Sequence, residues 1–384
     1  MSQEFMIPEK IITGKNALSA LAGIIADYGE KALIVTGKSS VRTGSIEKLE
    51  AILTKAGIEY VVYDHITGEP TTIMVENGLF VYKKEKCDFL IGLGGGSPMD
   101  AMKAIGIMAR SPGRISDYMG KEIFRQLPPM IAIPTTAGTG SEVTQFTIIT
   151  DVETDIKMLL RGKPLMPKVA VLEPKLSLTT SKNITSSTGL DALTHSIEAY
   201  TSRKAQPLSD TFAVSAVRRI FKNLPVAYKD GYNLEAREEM SMAALEAGIA
   251  FNNSSVTLVH GMSRPIGALF HVPHGISNAM LLKVCLGYAL EGACERFALL
   301  GREIGEASEN MSDEEAANAF LAAVVRLCRR CEVPSLAEYG IQKAAFFEQI
   351  QKMAQDAMAS GSPSNTRRSI SEEDIINLYK KLWD

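Results

Sequence analysis

The chain has 384 residues, of which 46% are hydrophobic and 22% charged, with a formal net charge of −3. That length exceeds what one ordinary core organises, so two domains are expected. The charge leaves no footprint for nucleic acid, no apolar run approaches the roughly 20 residues of a membrane span, and the opening MSQEFMIPEKIITGK lacks the plan of a signal peptide.

Five cysteines, one necessarily unpaired in a monomer, suit a reducing compartment. The expectation is a cytoplasmic, enzyme-sized protein that works on a small molecule, with neither nucleic acid nor membrane as partner.

Residues 31–37 (KALIVTG) read as a buried strand, followed by a helical stretch through SIEKLEAILTKAG that Gly57 stops. Residues 58–64 (IEYVVYD) read as a second strand and VENGLFVYKKEKC as a helix. Residues 87–97 (CDFLIGLGGGS) form a third strand running into a glycine turn, and the helix PMDAMKAIGIMAR is expected to open at Pro98. Residues 128–136 (PPMIAIPTT) give a further strand. This alternation predicts a mostly parallel sheet with helices on both faces.

After about residue 182 helical patterns follow one another: STGLDALTHSIEAYTS, SDTFAVSAVRRIFKNL, REEMSMAALEAGIAF, ISNAMLLKVCLGYAL, ERFALLGREIG and EEAANAFLAAVVRLC. The chain closes on SEEDIINLYKKLW, where Ser371 and Asp374 suit a capping box. The expected division is an α/β domain over residues 1–182 and an all-helical domain over 183–384. Cys328 and Cys331 form a C-x-x-C inside a helical pattern, for which a metal or redox role is the lesser reading.

Two loops follow strands. GLGGGSPMD (92–100) would let backbone N–H groups approach an anion at a helix start, although its glycine spacing only approximates the dinucleotide fingerprint and a ligand-free tight turn is the alternative. IPTTAGTGSE (133–142) adds hydroxyls at Thr135, Thr136, Thr139 and Ser141. Together they favour a nucleotide carrying phosphates, bound at the carboxyl ends of strands.

Three of the chain's five histidines, His260, His271 and His274, fall in VHGMSRPIGALFHVPHG (259–275), a segment that Pro265 and Pro273 are expected to break. Earlier, DALTH sets Asp191 and His195 at i and i+4 on a helix, on one face. The pair reads either as a helix-stabilising contact or as half of a metal site, which His260 and His274 would complete. One carboxylate and three imidazoles suit Fe²⁺ or Zn²⁺ and poorly suit Mg²⁺ or Ca²⁺.

In order and spacing, GGGSPMDAMK, IPTTAGTGSEVT, GLDALTHSIEAY and VHGMSRPIGALFHVPHG resemble the iron-containing (group III) alcohol dehydrogenases. The resemblance runs from about residue 5 to the C-terminus. It implies an N-terminal dinucleotide-binding α/β domain with a mostly parallel sheet, a C-terminal all-α domain, and an active site in the cleft between them. It also implies a homodimer or larger homo-oligomer. Carried over residue by residue, it makes Asp191, His195, His260 and His274 the metal ligands, through which catalysis runs. It sets Gly95, Gly96, Ser97 and Asp100 against the cofactor, with Thr135, Thr136, Thr139, Thr144 and Lys157 around it. It places Phe251 in the substrate channel.

The departures carry information. Arg264 stands where the family commonly has a further histidine thought to help proton transfer, and an arginine could instead attract a carboxylate or phosphate on the substrate. His271 lies where the family keeps no histidine and is left out of the site. The family's N-P-T near the cofactor reads Glu69-Pro70-Thr71. Where NAD-using relatives commonly end the first strand in aspartate, this chain has Gly37, then Lys38, Ser39 and Ser40. Loss of that charge, with a lysine and serines beside it, favours NADP over NAD.

The expected activity is a metal-dependent NAD(P) alcohol dehydrogenase, or aldehyde reductase, moving a hydride between nicotinamide and a primary alcohol or its aldehyde. The alternatives are a hydroxyacid dehydrogenase or hydroxyacid–oxoacid transhydrogenase of the same family, and a non-catalytic nucleotide-binding sensor. The complete ligand set argues against the sensor, since a mere binder has no need of the ion.

Overall fold

The computed structural model describes residues 3–383. The chain divides into two compact units, Ile7–Thr180 and Ser181–Asp384, the latter joined by the N-terminal segment that ends at Met6. Residues 1, 2 and 384, which the expected domain limits include, lie outside the described residues.

The Ile7–Thr180 unit carries strands β1 (Lys10–Thr13), β2 (Lys31–Thr36), β3 (Glu59–Tyr63), β4 (Phe89–Gly94), β5 (Met130–Pro134), β6 (Phe146–Asp151), β7 (Ile156–Arg161) and β8 (Val169–Leu172). Between them run helices α1 (Ala17–Ala20), α2 (Lys38–Arg42), α3 (Ser45–Lys55), α4 (Thr72–Lys84) and α5 (Gly96–Arg110). Six strands pair in the order β1-β8-β5-β4-β2-β3, every pair parallel, while β6 and β7 form a separate antiparallel pair.

Strand residues alternate between two buried clusters. Leu33, Val35 and Leu90 enter one; Ala32, Ile34, Phe89 and Ile91 enter the other. A sheet covered on both faces needs apolar residues at every position, which is why β2 and β4 are uninterrupted apolar runs. The chain passes from β2 to β3 on one side and to β4 on the other. Ligands bind open α/β sheets at such a reversal, outside the carboxyl ends of the strands. Two hydroxyls tie the strands there: Thr36 Oγ1 donates to the Leu93 carbonyl at 2.7 Å and Ser40 Oγ to the same oxygen at 3.4 Å.

The glycine-rich helix differs from its expected start. α5 begins at Gly96, two residues before Pro98. Proline is tolerated within a first turn, because the leading N–H groups have no intrahelical acceptor. Strands β1, β6, β7 and β8 were not expected; β1 and β8 are only four residues long, and the β6–β7 hairpin stands apart from the main sheet. α3 ends as expected at Gly57, whose φ of 72° is left-handed.

The second unit contributes helices only: α6 (Lys182–Thr201), α7 (Pro207–Lys229), α8 (Leu234–Ser254), α9 (Leu258–Phe270), α10 (His274–Leu290), α11 (Cys294–Glu303), α12 (Asp313–Arg330), α13 (Lys343–Ala359) and α14 (Glu372–Lys380). Ser371 and Asp374 form the expected capping box. Pro265 does not break the chain but lies inside α9. Burial of Leu258–Ser263 and of Pro265–Gly267 outweighs the roughly 3 kcal/mol an internal proline costs. Among the described residues, no helix is long and apolar enough to cross a membrane.

One buried charge anchors the glycine-rich helix. Lys103 is fully buried and donates to the Thr144 carbonyl (2.9 Å), Thr144 Oγ1 (3.1 Å) and the Phe146 carbonyl (2.8 Å), binding α5 to the chain that enters β6. Burial pulls its ammonium down to about 8, opposed by the Asp100 and Glu142 carboxylates. Lys103→Met is therefore expected to strand two carbonyls and lower stability by about 3 kcal/mol. A thermal midpoint several degrees below wild type checks this; an unchanged midpoint contradicts it.

Candidate active site

α6 supplies the first donors. Asp191 and His195 share a face, with His195 Nδ1 3.9 Å from Asp191 Oδ2, and both are buried. α9 brings His260, whose Nε2 lies 3.7 Å from Asp191 Oδ1, and the first residue of α10, His274, places its Nε2 at the same distance from that oxygen. One donor atom each from Asp191, His195 and His260 lies within 4.8 Å of the others. Donors of a tetrahedral ion with bonds of about 2.1 Å stand roughly 3.4 Å apart, so the cluster needs little contraction to close on a cation. Among the described residues, this is the one grouping of three or more such side chains.

The imidazoles are oriented by their surroundings. His195 stacks between Phe251 (ring centroids 4.1 Å apart) and His260 (4.5 Å). His260 Nδ1 sits 2.5 Å from Glu198 Oε2, buried on α6. With the proton on Nδ1, the Nε2 lone pair is left for an ion. Glu198 Oε1 in turn accepts from Thr257 Oγ1 (2.9 Å) and from the backbone N–H of Val259 (2.6 Å), at the start of α9.

The electrostatics follow from crowding opposite charges in a dry place. Burial works against the Asp191 carboxylate, but His195, His260 and His274 hold it well below the usual carboxylate range. Burial also opposes a charged His260, yet Glu198 and Asp191 raise it to about 8. Burial pulls His274 down to about 3; Asp191 resists, while His260, His195 and Arg264 add to the fall.

Two residues of this centre were missed. Glu198 follows Asp191 and His195 at i+7 and i+3. Asn278 follows His274 at i+4; its Nδ2 donates to Asp191 Oδ1 at 2.7 Å and lies 3.3 and 3.2 Å from His260 Nε2 and His274 Nε2. Helical spacing puts Glu198 near Asp191 and His195 and Asn278 near His274, but their roles appear only where the helices meet. His271 is exposed, with a left-handed φ of 54° closing α9, and is not among the three grouped donors. Cys328 and Cys331 are free, and burial pushes both thiols up to about 12, which suits a structural role and not a redox pair.

The expected cofactor residues sort into two groups. Gly95, Gly96, Thr136 and Thr139 come together: a Cβ on Gly95 would touch Thr136 Oγ1 at 3.4 Å, and one on Gly96 would meet the Thr139 methyl at 2.9 Å. Gly95 caps α5 without a side-chain bond, and Ser97 lies half-buried in that first turn. Thr135 joins the two loops through its N–H, which donates to the Gly94 carbonyl at 2.8 Å. Others are engaged within the unit: Asp100 accepts from Ser141 Oγ (2.7 Å) and the Ile148 N–H (3.1 Å), Thr144 serves Lys103, and Lys157 pairs at the surface with Glu69 at 2.5 Å. Gly37 is buried, and a Cβ there would lie 2.5 Å from the Ile66 carbonyl oxygen. The glycine thus has a steric cause independent of any cofactor. Lys38 and Ser39 are exposed, while Ser40 is buried against β4.

The Iron-containing alcohol dehydrogenase model matches residues 8–174, and the C-terminal model of the Fe-containing alcohol dehydrogenase family matches 185–383. The chain belongs to the iron-containing alcohol dehydrogenase family. It is 37% identical to a 1,3-propanediol dehydrogenase of Citrobacter freundii over 99% of this chain and 98% of that one. A solved 1,3-propanediol oxidoreductase superposes with a TM-score of 0.96 at 36% identity, covering 100% of both chains. The sulfoacetaldehyde reductase of Bifidobacterium kashiwanohense, solved with NAD+, gives 0.88 at 28% identity over 100% of this chain and 99% of that one. As a member of this family the chain is an oxidoreductase acting on alcohols and aldehydes.

Glu198→Gln keeps an acceptor for the Val259 N–H but removes the charge that fixes the His260 tautomer. Loss of such a partner typically weakens metal affinity about 10- to 100-fold. Chelator competition on the purified variant measures it; wild-type affinity would dissociate Glu198 from the centre.

Proposed function

We propose that Asp191, His195, His260 and His274 hold Fe²⁺, with Zn²⁺ as a substitute, and that the chain reduces aldehydes to primary alcohols with NADPH. The observation that carries this reading is the convergence of donors from Asp191, His195 and His260 within 4.8 Å of one another, with His274 Nε2 3.7 Å from Asp191 and Glu198 beside His260 Nδ1. One carboxylate and three imidazoles leave a single residual charge of +1 on a divalent ion, a donor set suited to borderline metals. When bound, the ion supplies Lewis-acid polarisation of the substrate oxygen, and the nicotinamide supplies the hydride.

The chain's own groups hold and orient. Glu198 fixes the His260 imidazole, and Asn278 donates to the Asp191 carboxylate. Phe251, stacked on His195, walls the centre with an apolar ring. In the Ile7–Thr180 unit, the unbonded N–H groups at the start of α5, with Thr136 and Thr139, suit a pyrophosphate. A guanidinium does not give up its proton near neutrality, so Arg264 is not a proton shuttle. Five free cysteines accord with a cytoplasmic protein, and a homodimer or larger assembly is the oligomeric state to check by light scattering. The relatives named above include a diol dehydrogenase and a sulfoaldehyde reductase, so family membership leaves the substrate's charge open.

Preference for NADPH rests on Lys38 and Ser39, which are exposed at the carboxyl end of β2 where an adenosine ribose would lie. Aspartate at position 37 would displace Ile66, so Lys38→Ala is the cleaner test. A charge-assisted contact contributes about 1.5–3 kcal/mol, so KM for NADPH should rise roughly tenfold or more with NADH little changed. Equal effects on both cofactors, or a wild-type preference for NADH, would reject the preference.

Metal dependence is tested by removal and reloading. The chelated protein should lose aldehyde reduction and recover it with Fe²⁺ or Zn²⁺ but not Mg²⁺. An ion at 100 times its Kd should also raise stability by about 2.7 kcal/mol. His260→Ala and His274→Ala should abolish both responses, whereas His271→Ala should alter neither. Full turnover by metal-free protein would overturn the ligand assignment.

A further inference from the structure

Arg264 follows His260 by four residues on α9, so the two side chains rise from one face of the helix. The guanidinium is partly buried, and its one hydrogen bond among the described residues is from Nη1 to Ser362 Oγ, at 3.3 Å. Among the described residues, no carboxylate lies within 4.0 Å of it. Elsewhere in this unit Arg219 meets Glu246 (3.2 Å) and Arg296 meets Asp210 (2.6 Å). Its counterpart Arg264 makes no hydrogen bond to the described residues through Nε or Nη2. A guanidinium offers five donors in a planar fork matched to an oxyacid. A fork drawn out of bulk water beside the donor cluster, which feels the charge of Glu198 but has no carboxylate in ion-pair contact, is set to bind an anion from outside.

We infer that Arg264 is a specificity-determining residue that binds an anionic group on the substrate, so that the preferred substrates are short aldehydes bearing a carboxylate, sulfonate or phosphonate. This rests on the proposed aldehyde reductase activity and names its substrate class. One helical turn separates His260 from Arg264, roughly 6 Å along the axis. That spacing matches a carbonyl oxygen held near His260 and an acid group a few carbons away. The reaction is unchanged: the aldehyde carbon gains the hydride of NAD(P)H, its oxygen gains a proton, and the cofactor leaves oxidised. Arg264 exchanges no atom with the substrate; it holds the anion.

The test compares kcat/KM of the metal-loaded enzyme for sulfoacetaldehyde, phosphonoacetaldehyde and succinic semialdehyde with that for propionaldehyde and butyraldehyde. Wild type should favour at least one anionic aldehyde over the neutral ones by tenfold or more, and the best of the three identifies the oxyacid. Arg264→His should reduce that ratio at least tenfold, chiefly through KM, and Arg264→Lys should reduce it less. Calorimetric titration with ethanesulfonate, which carries no carbonyl, reads anion binding directly and remains informative if a variant loses turnover. Loss of ethanesulfonate binding at wild-type metal content supports the inference. An unchanged ratio in Arg264→His, or ethanesulfonate binding equal to wild type, overturns it. Turnover of neutral aldehydes without preference for anions rejects the anion site while leaving the reductase reading intact; absence of any aldehyde turnover by the loaded wild type rejects that reading itself.

Discussion

A carboxylate buried in the middle of a helix is costly unless cations or hydrogen bonds meet it. Asp191 is such a group, almost fully enclosed on α6, and three imidazoles from α6, α9 and α10 converge on it. Much of the surrounding arrangement follows from satisfying it. Asn278 donates to the carboxylate, and Glu198 holds His260 so that its other nitrogen faces inward. Glu198 is a second buried negative charge, offset by His260, Thr257 and the N–H groups that open α9. The centre is thus two acids on one helix that fix the entry of another. A divalent ion held there would complete this balance by replacing a proton with a stronger positive charge.

The Ile7–Thr180 unit solves a different problem, which is close approach. Gly37 admits the Ile66 carbonyl, and Gly96 admits the Thr139 side chain. Both contacts gather loops at the carboxyl end of the sheet, where the strand order reverses. Lys103, Asp100 and Ser141 then lock α5 to the threonine loop and to β6. Motif residues therefore serve two ends. Some face outward, and others fasten the loops that carry them.

This division limits what sequence alone reveals. Strands β2 and β4 were legible because burial on both faces demands continuous apolar residues. β1 and β8 escaped because four residues carry too little pattern, and α9 because Pro265 reads as a break that packing overrides. The four candidate ligands stood out through rare histidines and helical spacing. Glu198 and Asn278 did not, since their types are common and their roles appear only when separate helices meet. Gly37 was read for cofactor choice, and its environment adds a steric reason for glycine that sequence does not show. Asp100 and Thr144 likewise lie in cofactor-like motifs yet spend their polar atoms inside the unit.

The central claim is that one ion is held by three imidazoles and one carboxylate. X-ray absorption spectroscopy on the iron- or zinc-loaded protein tests it most directly, because imidazole rings scatter with a distinctive outer-shell pattern. Such a site gives four nitrogen or oxygen neighbours from the protein at about 2.0–2.2 Å, three of them imidazoles, with any further neighbour a light atom from solvent or substrate. Sulfur at about 2.3 Å, or an all-oxygen shell without imidazole scattering, would contradict it.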